Sequence, residues 1–191
     1  MVTMVEKTAI QSPKPKRRIS WEAFQEKYLT REDRYKYEWV DGLVEKTTRS
    51  MNKNQFFIQA NLLEFLDSIK ATLETNWTLI AEGDTFFDGK HRRPDIAFYT
   101  LEQIRAAKDD QNVVPEFVIE IISSKDQINR VVKKMDNYRA ANVKVIWHIF
   151  PETQKVHVYH GKTMQICEEE DVCSAEKVIP GFKILVKDLF K

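Results

Sequence analysis

The apolar positions along this chain change period several times, and each change marks an element. Before residue 19 no apolar pattern recurs, and QSPKPKRR contributes only two prolines and a basic cluster, so residues 1–18 are expected to form a flexible basic tail. Ser20 then stands as a helix N-cap ahead of WEAFQEKYL, where Trp21, Phe24 and Tyr28 share one helical face. YKYEWVDGLVEK alternates around Asp41-Gly42, a dipeptide suited to a two-residue hairpin turn because both central residues take positive φ. From Asn54 to Leu73 the set Phe57, Ile58, Leu62, Phe65, Leu66 and Ile69 keeps steps of three and four, which predicts a long amphipathic helix.

The period then shortens. TLIAEG and DTFF read as strands, DGKHRRP as a basic turn, DIAFYT as a further strand and LEQIRAAKD as a short helix. FVIEII is a β-branched run suited to a central strand covered on both faces. Ser123 and Ser124 offer caps to a helix whose Ile128, Val131, Val132, Met135 and Tyr138 share one side, with Asn142 as its left-handed cap. KVIWHIF and KVHVYH form a strand pair around Pro151, and VIPGFKILVKDLF closes the chain. This order argues for an α/β (α+β) fold, a mixed central sheet flanked by helices with an N-terminal helix and hairpin. FVIEII and KVIWHI, joined through a helix, should be parallel neighbours. With neither an internal repeat nor a linker, residues 19–191 read as one domain.

Composition narrows the function classes. The 191 residues, 42% of them hydrophobic, suffice for a single core. Lys+Arg 30 against Asp+Glu 29 leaves a net charge of +1, so any polyanion site must be a local patch. No run approaches the roughly 20 apolar residues of a membrane span, and MVTMVEKTAI lacks the apolar centre of a secretory signal, so no membrane partner and a cytoplasmic location are expected. Cys167 and Cys173 flank EEED in no familiar metal or redox spacing and read as two reduced thiols.

Several charged residues do not suit a core. Glu120 sits inside FVIEII, where strand alternation puts its side chain on the same face as Val118 and Ile122 and an unpaired carboxylate is costly. Asp95 opens the preceding strand directly after Pro94. The two carboxylates together suit a hard divalent cation such as Mg²⁺, which selects oxygen ligands. On the following helix Lys134 lies about 40° from Tyr138 and about 60° from Val131, on the flank of the apolar stripe, while Lys133 points further outward. Its ammonium either snorkels to solvent or faces a bound phosphate. Glu38 lies among the hairpin aromatics, and Lys90, His91, Arg92 and Arg93 form a basic run that is either a solvated turn or a phosphate contact.

The succession YEWVDG, RRPDIAF, FVIEIISS, KKMDNY, NVKVIW and IPGFKI resembles the Uma-two family of restriction-endonuclease-like proteins in the PD-(D/E)XK nuclease superfamily, over roughly residues 20–190. The resemblance implies the restriction-endonuclease fold, a bound Mg²⁺ or Mn²⁺, and an endonuclease acting on DNA phosphodiesters. Asp95 and Glu120 match the family's metal-binding acid pair, Glu38 its upstream glutamate, in or beside the metal site, and Lys134 its active-site lysine. In the superfamily's commonest form the lysine follows the strand acid by two residues; here Ile122 holds that position and the lysine sits on the helix. Other departures are a family histidine replaced near Asn54, Ser124 in place of a proline, and Arg130 in place of an acid one turn before Lys134. Arg130 joins Arg92 and Arg93 as a candidate phosphate contact.

In the implied mechanism the metal activates water and polarises the phosphate, and Lys134 stabilises the developing charge. A homodimer would suit cleavage of two strands. Two other readings compete: a catalytically inactive nuclease-fold module that binds DNA or protein, and a structural module in which Glu120 is only salt-bridged to Lys134. Removing either Asp95 or Glu120 is expected to leave the unfolding midpoint unchanged or raised, through relief of carboxylate repulsion.

Overall fold

Local chemistry sets the first elements. The Ser20 hydroxyl accepts the Ala23 N–H at 3.2 Å and caps α1 (Trp21–Phe24), which runs on into a π-helical turn, Gln25–Leu29. Strands β1 (Tyr35–Val40) and β2 (Leu43–Thr48) form the expected hairpin, with φ of 51° at Asp41 and 82° at Gly42. The structure is a computed structural model and describes residues 17–48, 53–70, 76–109, 111–124 and 126–191; nearly all of the expected tail lies outside them.

Helix α2 (Lys53–Lys70) buries Ile58, Leu62, Leu66 and Ile69. Phe57, expected on that face, is exposed, because it lies about 180° around the helix from Leu66. Strands β3 (Trp77–Ala81), β4 (Thr85–Phe87), β5 (Lys90–Arg92) and β6 (Ile96–Thr100) follow, then α3 (Leu101–Lys108), whose N-terminus carries a reciprocal capping box between Thr100 and Gln103. The expected turn DGKHRRP is therefore a turn only at Asp88-Gly89. Its basic half is β5, paired with β1 on one side and β4 on the other, and His91, Arg92 and Arg93 are buried.

The second half contains β7 (Phe117–Ile121), α4 (Ile128–Ala140), β8 (Val145–Phe150), β9 (Lys155–His160), β10 (Thr163–Glu168), β11 (Val172–Ser174), β12 (Lys183–Leu185) and α5 (Val186–Leu189). The central sheet has the order β10-β9-β8-β7-β6-β3, and its parallel pair is β7 with β8, joined through α4 as the crossover argument requires. A second sheet, β2-β1-β5-β4, carries the hairpin, and β11 pairs with β12. Phe117, Ile119 and Ile121 of β7 pack on the side of α2 and the C-terminal segment. Val118 packs on the other side with Ala97, Ile146 and Tyr138. Both faces of β7 are thus covered.

Helix α4 is rotated from the expected orientation. Ile128 and Val132 are exposed while Tyr138 is fully buried, since Val132 lies about 120° from Tyr138 around the axis. Ser123 does not cap the helix directly; its N–H and hydroxyl both donate to Asp126, forming a turn before it. Asn142 takes φ 62° just beyond the helix, as expected of a left-handed terminus. Cys167 and Cys173 are free and buried. Among the described residues no helix is long and apolar enough to cross a membrane.

Candidate active site

The sheet register brings the out-of-place charges together. Strands β6 and β7 are antiparallel with Ile96 opposite Ile119, and Asp95 and Glu120 each stand one residue beyond that pair. The Asp95 carboxylate accepts the Ile121 N–H at 2.8 Å through Oδ2, and its Oδ1 lies 2.9 Å from the ammonium of Lys36. Lys134 reaches in from α4, with Nζ 2.7 Å from one Glu120 oxygen and 2.8 Å from the other. The same ammonium stands 3.4 Å from Glu38 and donates to the Arg93 carbonyl at 3.2 Å. Tyr138 donates its hydroxyl to Glu120 at 2.6 Å. Glu38, Asp95, Glu120 and Lys134 all line one cleft of about 360 Å³, so the structure assembles the four residues singled out from sequence.

Lys133 turns away, as its helical position requires, and pairs with Glu45 at 2.9 Å. Arg130 lines the cleft and donates to the Lys46 carbonyl at 3.4 Å. The side chain of Asn54 lies outside the described residues. Ser124 is exposed and donates to Glu152.

Arg92 and Arg93 are placed differently from expectation. Glu38 and Glu45 face each other across the β1/β2 ladder, a like-charge pairing that is unfavourable unless bridged. Arg92, 1% exposed, bridges them with Nη1 at 3.0 Å from Glu38 and 2.6 Å from Glu45, and its other nitrogens bond Asn137. The Arg93 guanidinium is held by Asp84 and the Leu29 carbonyl, while its backbone N–H donates to Glu38 at 2.8 Å. These guanidiniums lie inside the structure rather than on a solvated turn. Arg92→Gln should destabilise the protein by about 3–5 kcal/mol, because two buried carboxylates lose their shared cation. Urea unfolding would check this, and an unchanged midpoint would mean that solvent already screens the pair.

Sequence reasoning missed Lys36, Tyr138, Glu45 and His148. Lys36 was detectable, since strand alternation puts it on the same face as Glu38, two residues away. His148 stands opposite Glu120 in the parallel β7/β8 register and lines the cleft. Burial, then the nearby His157, lowers its pKa to about 4.

The carboxyl groups titrate apart. Burial drives Glu120 upward, and Asp95 adds to the rise against the pull of Lys134, so its pKa stands at about 7. Burial also opposes ionisation of Glu38, but Lys134, Arg92 and Lys36 outweigh it and bring that group down to about 2. Asp95 likewise is held below its ordinary value, against burial, by Lys36 and Lys134. Lys36 is raised despite burial because Asp95, Glu120 and Glu38 surround it, and it stays an ammonium.

A raised Glu120 binds its proton more tightly folded than unfolded. Its stabilising contribution is therefore complete below its ordinary pKa of 4.5 and is lost as pH rises through about 7. His148, lowered from 6.5 to about 4, acts with the opposite sign over much of this window. The difference between Glu120→Gln and the parent protein isolates the glutamate. In chelator, the variant should gain stability relative to the parent as pH rises across that window, read from unfolding midpoints at several pH values. A constant difference would rule the assignment out.

The donor set suits a hard cation in kind: two carboxylates beside one another on a water-accessible cleft, one of them poorly compensated. No group of three or more His, Cys, Asp or Glu residues is arranged as a metal cage among the described residues. Mg²⁺ needs no such cage, since one or two carboxylates suffice where water and phosphate complete its shell. All three carboxylates already accept hydrogen bonds or ion pairs, Glu38 from Arg92, Arg93 and Lys134, Asp95 from Lys36 and the Ile121 N–H, and Glu120 from Lys134 and Tyr138, so a cation would share these oxygens with their present donors.

The Uma2 family model, described as "Putative restriction endonuclease", matches residues 21–187. The chain belongs to the Uma2 family. The Uma2 match takes in β1, β6, β7 and α4, and so every residue of the cleft described above. Among solved structures, the Uma2 chain is similar to "a putative nuclease belonging to DUF820" from Anabaena variabilis, with a TM-score of 0.73 and 19% identity over 90% of this chain and 97% of that one. The shared architecture is the restriction-endonuclease-like fold that the family resemblance implied, built on the mixed sheet flanked by helices that the order of elements suggested. No curated protein is significantly similar in sequence.

Proposed function

We propose that this Uma2 protein is a Mg²⁺- or Mn²⁺-dependent endonuclease that hydrolyses DNA phosphodiester bonds. The observation that carries the reading is geometric: Asp95 and Glu120 stand side by side across the β6/β7 register on an open cleft, where burial and the neighbouring Asp95 hold the Glu120 carboxyl above its ordinary pKa. Asp95 and Glu120 would hold the cation. Once bound, it would supply an activated water and a polarised phosphate. Tyr138 and Lys134 fix the Glu120 carboxylate from two directions, and Glu38 holds Lys134 in place while being anchored itself by Arg92 and the Arg93 N–H. The surrounding β-sheet and α4 keep these groups from relaxing, which is what electrostatic preorganisation requires.

The alternative, a nuclease-fold module that binds without cutting, is favoured by one observation: each of the three carboxylates already has a cationic partner within the protein. Incubation of the protein with plasmid and oligonucleotide DNA in Mg²⁺, Mn²⁺ or chelator separates the two. Cleavage that needs the metal supports the enzyme, and DNA binding without cleavage in either metal supports the module. A homodimer is proposed for double-strand cleavage, with sedimentation velocity as its test.

A further inference from the structure

The cleft holds two lysines, and their hydrogen bonding differs. Lys134 hydrogen-bonds Glu120 and the Arg93 carbonyl and stands 3.4 Å from Glu38, so its ammonium is ringed by protein acceptors. Lys36 comes from the opposite wall, on β1, and its one hydrogen-bond partner among the described residues is Asp95 Oδ1 at 2.9 Å. Its side chain is 8% exposed and lines the same cleft, so two of its N–H bonds remain for whatever enters. A buried ammonium with donors to spare, fixed beside a carboxylate and directed into a polar cleft, is arranged to bind an anionic oxygen.

We infer that Lys36, rather than Lys134, is the cation that contacts a phosphate oxygen of the nucleic acid in this site, with Lys134 acting as the positioning residue for Glu120. This rests on the nuclease reading for its catalytic consequence but not for the contact itself. Lys36 donates to a nonbridging oxygen of the phosphate nearest Asp95 and Glu120 while keeping its bond to Asp95, and so ties the incoming strand to the acid pair. In turnover the same contact offsets the negative charge that develops on the phosphoryl oxygens.

The test compares binding and cleavage in Lys36→Met, Lys36→Gln and Lys134→Met. Binding of a short fluorescein-labelled duplex is followed by anisotropy in EDTA over a range of salt concentrations. One lost phosphate contact should reduce the slope of log K against log salt by about 0.9. Both Lys36 variants should show that reduction, together with a loss of Mg²⁺-dependent cleavage on the order of 10². Lys134→Met should lose cleavage yet keep the parental slope, because its donors never reach the phosphate. A purely structural Lys36 would shift the unfolding midpoint and leave the slope alone, and Lys36→Gln, which retains a neutral N–H donor on the Asp95 side of the cleft, guards against a misfolded Lys36→Met. A parental slope in folded Lys36→Gln overturns the inference, as does a slope loss in Lys134→Met alone. If the Lys36 variants lose slope while the parent protein cuts nothing in Mg²⁺ or Mn²⁺, the phosphate contact stands and the nuclease reading fails.

Discussion

Asp95→Ala and Glu120→Ala should each reduce Mg²⁺-dependent DNA cleavage by on the order of 10³, the loss expected when the metal and its several kcal/mol of charge stabilisation are removed. Their effects on stability should separate, which departs from the shared neutral or stabilising effect expected from sequence. The Asp95 carboxylate is held ionised by Lys36 and the Ile121 N–H, so its removal takes from the buried Lys36 ammonium its hydrogen-bonded carboxylate and should cost about 3–5 kcal/mol. Burial raises the Glu120 pKa to about 7, which makes its ionised form costly, so Glu120→Gln should match or exceed the parent in stability near neutral pH. Gel-based cleavage with urea unfolding on the same preparations measures both. Full cleavage in either variant would remove the nuclease reading, and a stabilised Asp95→Ala would remove the account of the lysine pair.

Lys134→Ala should lower turnover by on the order of 10², through Glu120 rather than through the phosphate. Without Lys134, Glu120 keeps Tyr138 as its hydrogen-bond donor but loses the main charge opposing its rise in pKa. The Mg²⁺ concentration for half-maximal cleavage should therefore increase near neutral pH and recover in alkaline buffer, where the carboxyl ionises regardless. Magnesium titrations at the two pH values would show it. An equal defect at both would place Lys134 on the substrate instead. Lys133→Ala should leave cleavage intact, since that side chain reaches Glu45 rather than the acid pair.

What the sequence determined by itself is whatever short-range chemistry specifies. Asp41-Gly42 dictates a tight turn because only a few residue types tolerate positive φ, and Asn142 ends α4 for the same reason. The β-branched run around Glu120 requires a central strand, and its helical connection to KVIWHI requires a parallel neighbour. A carboxylate in such a strand, a second one after Pro94 and a lysine on the flank of the next helix were visible as residues out of keeping with a core. The tertiary structure alone decided which charge meets which. Lys36 finds Asp95 across 59 positions of chain, and Arg92 bridges Glu38 and Glu45 from a strand that local pattern read as a turn. The rotation of α4, which exposes Ile128 and Val132 and buries Tyr138, follows from docking that helix against Glu120 and the sheet. Periodicity records only that a face is apolar on average. An unpaired desolvated charge costs more than burying one isoleucine gains, which favours the orientation that brings Lys134 and Tyr138 to Glu120 while Tyr138 and Met135 still pack on the sheet.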